Sequence, residues 1–250
     1  MNKKITSYIE LARLDKPIGV YLLLWPSLLG LLLGELQSGS INYKNYIIVI
    51  IGSVLVRSCG CVINDISDFR IDKYIARTSN RPLVVGSLSI IEAWIFFIIL
   101  GLLSIALLIF TNPLTIKISL FFAIFIALYP LTKRFFPAPQ FILGITFGSG
   151  CLISYSLESS VFSLSLVVLY LGVISWIISF DTYYALEDKE DDMKIDINST
   201  AILWGNKAIM YAKFLHIIFY GSLIYIGILN QFSFYFFLIF FVLIFIFFYQ

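Results

Sequence analysis

Apolar residues run along the chain in long unbroken blocks separated by short polar breaks. Eight blocks stand out, at 17–36, 46–63, 90–110, 113–130, 140–157, 162–180, 207–229 and 232–249. A helix needs about 20 mostly apolar residues to cross the hydrocarbon core of a bilayer. Barrel strands would alternate apolar and polar residues instead. Lipid admits only helices or closed barrels, because every backbone polar group must find its partner within the protein. The pattern therefore predicts an all-α fold, a polytopic transmembrane helix bundle of eight spans, forming one membrane domain over 1–250. Most connections are short, but the segments 64–89 and 181–206 are long and polar.

Composition agrees. Of the 250 residues 60% are hydrophobic and 13% charged, against roughly 25% charged in soluble domains. The net charge of +2 implies no polyanionic partner and no nucleic acid. The placement of the charges is more informative. Lys3, Lys4, Arg13 and Lys16 precede span 1, and Arg70, Lys73, Arg77 and Arg81 follow span 2. Lys133 and Arg134 follow span 4, and Lys189, Lys194, Lys207 and Lys213 lie in or beside the connection after span 6. With alternating spans these share one face, whereas only Lys44 and Lys117 fall on the other. The positive-inside rule makes the rich face, and the N-terminus, cytoplasmic. The first block is too long for a secretory leader and lacks a clear small-residue cleavage site.

Cys59, Cys61 and Cys151 all lie within blocks with no CxxC spacing, so they read as small buried side chains. A single histidine, His216, disfavours histidine-based metal or triad chemistry. Gly30-x-x-x-Gly34 and Gly144-x-x-x-Gly148 predict close helix packing.

The candidate chemistry sits in two acidic clusters. Residues four apart share a helix face. Asn64, Asp68 and Asp72 form one such stripe, with Arg57 and Cys61 continuing it into the span. Asp181, Tyr184, Asp188 and Asp192 form the second. Asp65 and Asp191 lie off the stripes and are expected to matter less. Like-charged carboxylates on one face repel, and a bound cation relieves the repulsion. Donors that are all oxygen suit Mg²⁺ or Mn²⁺ rather than zinc. Mg²⁺ is commonly held by one or two carboxylates together with substrate phosphates. Two clusters on one face thus point to metal ions gripping one phosphate-bearing substrate, with Lys73, Arg77, Arg81 and Arg134 placed to take the remaining phosphate charge.

The stripe Asn64-Asp65-x-x-Asp68-x-x-x-Asp72 resembles the first aspartate motif of the UbiA-type intramembrane prenyltransferases, and Asp181-x-x-Tyr184-Ala185-x-x-Asp188-x-x-x-Asp192 resembles the second. Other segments look like the 4-hydroxybenzoate polyprenyltransferase branch. These are Arg13 to Gly19, Leu24-Trp25-Pro26, Arg77-Thr78 with Arg81-Pro82-Leu83, Tyr129-Pro130 with Lys133-Arg134, and Asp196 to Gly205. The resemblance implies a nine-helix bundle, of which this chain would lack the last, with its active site on the cytoplasmic side of a bacterial inner membrane. It also implies transfer of a polyprenyl group from a polyprenyl diphosphate to the ring of 4-hydroxybenzoate, in ubiquinone biosynthesis. Asn64, Asp68, Asp72, Asp188 and Asp192 would then hold Mg²⁺ and the diphosphate. Arg134 would grip the acceptor carboxylate or else the diphosphate, and Tyr184 would line the substrate site. Arg57 is a second candidate for the acceptor, with an ion pair to the first cluster as its alternative. Three rivals remain: another acceptor such as a naphthoate, homogentisate or haem, a cation transporter, and a CDP-alcohol phosphotransferase. A transporter would place its acids nearer the midplane. The phosphotransferase lacks its expected Asp-Gly-x-x-Ala-Arg element in this chain.

Overall fold

The computed structural model describes residues 3–74, 78–132, 135–194 and 197–249. Its helices are α1 (Lys3–Leu11), α2 (Ile18–Ser38), α3 (Tyr43–Asp72), α4 (Ile90–Leu107), α5 (Pro113–Thr132), α6 (Pro139–Tyr155), α7 (Leu164–Lys194), α8 (Thr200–Leu203), α9 (Ala208–Leu229) and α10 (Phe234–Tyr249). A long helix lies on each of the eight apolar blocks. Among the described residues five segments, Ile18–Ser38, Tyr43–Arg70, Ile90–Phe110, Leu164–Glu190 and Gly205–Leu229, are long and apolar enough to cross a membrane.

Local sequence explains the helix ends. Pro17 stands at the N-terminus of α2, where a missing N–H is harmless. Gly39, with φ 71°, closes the same helix in the left-handed conformation and donates its N–H to the Glu35 carbonyl. Ser89 caps α4 in a reciprocal box, accepting from the Glu92 N–H while its own N–H donates to the Glu92 carboxylate.

Helices α3 and α7 are the longest, at 30 and 31 residues. At 1.5 Å per residue each is about 45 Å long, well beyond a hydrocarbon core of about 30 Å. Their last turns must therefore leave the apolar layer, and both acidic clusters lie on those turns. The polar segments after spans 2 and 6 thus begin as helix and not as loop.

Packing follows the small residues. A Cβ on Gly30 would sit 2.1 Å from the Cys151 carbonyl oxygen, so α2 meets α6 at backbone contact. At Gly144 and Gly148 the approach to α7 is looser, a Cβ meeting side-chain atoms of Ile178 at 3.0 Å and of Tyr170 at 3.1 Å. Leu33, Leu143, Tyr155, Val173 and Phe219 join α2, α6, α7 and α9 in one core. Leu11, Val62, Leu83, Leu88 and Leu100 form a second, between α1, α3, α4 and the segment before α4. α3 and α7, which carry the acids, are not among the well-packed helix pairs. The three cysteines are free, and Cys61 and Cys151 are buried.

Candidate functional site

Asn64, Asp68 and Asp72 occupy the last turns of α3. Asn64 is half-buried, while Asp68 and Asp72 are buried. Burial pushes the Asp72 carboxyl above its ordinary range, against the opposing pull of Arg81. Asp181, Asp188 and Asp192 are half-buried on the last turns of α7. Tyr184 is exposed, its ring 5.0 Å from that of Phe180. The α7 cluster is anchored from below. The Thr182 and Thr200 hydroxyls share a hydrogen bond of 2.7 Å, and the Thr200 N–H donates to Gln140 of α6 at 2.9 Å.

Tyr129, near the end of α5, feels the charges of Asp181 from α7 and of Asp68 and Arg57 from α3. Arg57 lies two turns before Asn64, its guanidinium 5.4 Å from the ring centroid of Phe147 on α6 and packed against Gly19 of α2. Its Nε is buried with no hydrogen-bond partner. Among the described residues no ion pair joins Arg57 to the first acidic cluster.

The basic residues divide. Arg81 is held by carboxylates, with Nη1 2.6 Å from Asp72 and 3.0 Å from Asp65. Lys73 is exposed beside the Tyr74 ring. Arg77 and Arg134 lie outside the described residues. Asp65, read from the sequence as peripheral, is the most buried acid of its cluster and bridges Arg13 and Arg81. Neither it nor Tyr129 falls on an acidic stripe. The available signal was a carboxylate on an apolar helix with arginines in the link between α1 and α2 and in the link after α3.

An apolar cavity of about 280 Å³ lies within the bundle between α2, α3, α4, α5 and α6. Leu23, Val56, Phe97, Leu120 and Ile153 line it. It reaches Ile63 and Ala127, within a turn of Asn64 and Tyr129, and extends to Thr111 and Leu157 at the other end of the helices. The α3 wall of this apolar cavity thus ends one residue before the first acidic stripe, which begins at Asn64.

The donor set suits Mg²⁺. It consists of carboxylate and amide oxygens, although among the described residues no three His, Cys, Asp or Glu side chains stand close enough to hold a metal by themselves. A hard cation here would draw its remaining oxygens from phosphate and water, as Mg²⁺ does.

A family model described as UbiA prenyltransferase family matches residues 23–250. The chain belongs to the UbiA prenyltransferase family. The 4-hydroxybenzoate octaprenyltransferase of Saccharophagus degradans is 41% identical over 203 residues, covering 81% of this chain and 67% of that protein. Its counterpart in Pseudomonas aeruginosa strain LESB58 is 41% identical over 206 residues, covering 82% and 69%. Among solved structures, a UbiA homolog from Aeropyrum pernix K1 superposes with a TM-score of 0.73 at 25% identity, over 86% of this chain and 80% of that one. A UbiA homolog from Archaeoglobus fulgidus bound to GPP and Mg²⁺ superposes with a TM-score of 0.69, over 89% and 78%. At 18% identity that likeness shows the fold. The all-helical UbiA fold and the membrane-length apolar helices make this chain an integral membrane member of the family.

Proposed function

We propose that the chain transfers a polyprenyl group from a polyprenyl diphosphate to the ring of 4-hydroxybenzoate, giving 3-polyprenyl-4-hydroxybenzoate for ubiquinone biosynthesis. The observation that supports this reading is that α3 and α7 each carry an acidic stripe on the turns beyond their apolar runs, with Asp68 of one and Asp181 of the other within electrostatic reach of Tyr129. The names of the relatives at 41% identity support the acceptor, and favour it over a naphthoate, homogentisate or haem.

The diphosphate lies between α3 and α7. Asn64, Asp68 and Asp72 on one side, and Asp188 and Asp192 on the other, present oxygens for Mg²⁺. The bound ion supplies charge neutralisation for the departing diphosphate. Lys73 and Arg81 add positive charge at the same end, as Arg77 does in the sequence reading. The prenyl tail enters the apolar cavity, which keeps water from the allylic cation formed as the diphosphate leaves. The rings of Tyr129 and Phe147 present faces that stabilise positive charge. Arg57 holds the acceptor carboxylate, with Arg134 as a second candidate, so that the carbon ortho to the acceptor hydroxyl meets the allylic carbon. The new carbon–carbon bond forms there, and the ring then loses its proton.

The Lys/Arg asymmetry orients the site towards the cytoplasm, and the bacterial source of the relatives supports a bacterial inner membrane. Membranes containing the chain should prenylate 4-hydroxybenzoate when given a polyprenyl diphosphate and Mg²⁺, and should stop when the metal is chelated. Prenylation of a different aromatic acid in preference to 4-hydroxybenzoate would reassign the acceptor.

A further inference from the structure

Asp65 stands one residue off the Asn64–Asp68–Asp72 stripe, only 2% exposed. Two guanidinium groups reach it from different links. Arg13, between α1 and α2, places Nη2 3.1 and 2.9 Å from its two oxygens. Arg13 does so from a left-handed backbone, φ 56°, with Nη1 donating to the Glu10 carbonyl at 2.8 Å. A non-glycine residue seldom adopts that conformation. Arg81 arrives from the segment after α3, where its backbone N–H donates to the Thr78 carbonyl and the Thr78 hydroxyl donates to the Asp72 carbonyl. Its Nη1 lies 3.0 Å from Asp65 and 2.6 Å from Asp72, so a single nitrogen is shared by two carboxylates.

Sharing has a consequence for Asp72. In a poorly solvated site a guanidinium held by one carboxylate alone neutralises it strongly. An arginine divided between two leaves each more negative and a better donor to a cation. Asp65 is the buried group that draws Arg81 away, and Arg13 balances its charge.

Building on the metal–diphosphate reading above, we propose that Asp65 is a positioning residue for that site, dividing Arg81 between two carboxylates so that Asp72 stays able to bind a divalent cation. Removing Asp65 lets Arg81 settle wholly on Asp72, and metal binding weakens. Removing Arg13 does the reverse, because Asp65 then has Arg81 as its remaining partner and pulls it from Asp72. A purely structural staple would behave differently, since both changes would loosen the same two links and neither would move metal affinity selectively.

The test uses the full chain in detergent, with Mn²⁺ as the probe in the presence of inorganic diphosphate, and free Mn²⁺ followed by electron paramagnetic resonance. Asp65→Asn should raise the Mn²⁺ dissociation constant about 10–100-fold, the usual effect of losing a partner that orients a ligand. Arg13→Gln should leave it unchanged or lower it. Asp65→Glu should restore much of the loss. The charge-balanced double variant Asp65→Asn/Arg13→Gln should also bind Mn²⁺ weakly, and it carries the test if the single Asp65 variant does not fold. Wild-type affinity in Asp65→Asn or in the double variant, or an equal loss in Arg13→Gln, would overturn the proposal. A wild-type chain that takes up no Mn²⁺ would instead overturn the metal reading beneath it, and the proposal with it.

Discussion

Arg57 can be moved without being mutated. A Cβ added at Gly19 would lie 2.5 Å from its Nε and 2.6 Å from its Nη2. Ordinary van der Waals contact begins near 3.4 Å, so in Gly19→Ala the guanidinium must retreat by about 0.9 Å, the difference between 3.4 and 2.5 Å. The obstacle is the far end of a flexible side chain, so the helices need not shift and the fold should be nearly as stable as before. The charge and the Phe147 neighbour also remain. If Arg57 holds the acceptor carboxylate, a displacement near 1 Å misplaces the ring by a similar distance, which can lower turnover by about 100-fold. Arg57→Leu removes the charge-assisted hydrogen bonds outright, worth about 1.5–3 kcal/mol, or roughly 10–150-fold in acceptor affinity. The assay is initial rate against 4-hydroxybenzoate concentration at saturating donor, repeated against donor at saturating acceptor. Both variants should raise the acceptor KM or lower kcat, with the donor KM little changed. Because they act through one side chain, the double variant should be no worse than Arg57→Leu. A normal acceptor KM in both, with a raised donor KM, would move Arg57 to the diphosphate. Normal values throughout would remove it from the site.

Other expectations follow from the same geometry. Gly30→Ala forces a Cβ against the Cys151 carbonyl, where backbone cannot yield cheaply, and should destabilise the detergent-solubilised protein by about 1–3 kcal/mol in thermal unfolding. Ser89→Ala removes the α4 cap and should cost about 1 kcal/mol in the same measurement. Glu92 raises the Lys4 ammonium above its ordinary value. On the alkaline side a raised folded value means that the pair's stabilisation is whole up to the unfolded lysine value of about 10.4 and is lost as pH climbs through the folded one. The gap in melting temperature between wild type and Lys4→Met should therefore stay constant between about pH 7 and 9. Single cysteines at Ser67 and Glu190, in a chain freed of Cys59, Cys61 and Cys151, should react only with reagents that reach the cytoplasm, and labelling from outside intact cells would invert the topology.

Much of the bundle was written in the hydrophobic pattern, because in lipid a long apolar run has one viable structure. The acidic stripes were equally legible, since α3 and α7 continue unbroken to Asp72 and Lys194 and four-residue spacing then fixes a shared face. The short α1 escaped because Lys3–Leu11 is too brief to span and reads only as a basic leader. Asp65 escaped for a different reason. A stripe argument sees one face of one helix, whereas the partners of Asp65 come from two separate links, 52 and 16 residues away in sequence. Tyr129 and Phe147 were hidden among many similar rings, and only the packing of α5 and α6 beside α3 distinguishes them.

In the proposed mechanism the ends of α3 and α7 form one metal–diphosphate site. That shared site is tested most directly by turnover against Mg²⁺ concentration for Asp68→Asn, Asp188→Asn and the double variant, in a preparation whose wild type is active. Each single change keeps the shape and removes one charge. Each should lower turnover by orders of magnitude and raise the Mg²⁺ requirement, and the double variant should be little worse than the poorer single one, because groups acting as a unit are not additive. Near-normal turnover of either single variant with unchanged Mg²⁺ dependence, or losses that multiply in the double variant, would contradict a shared site.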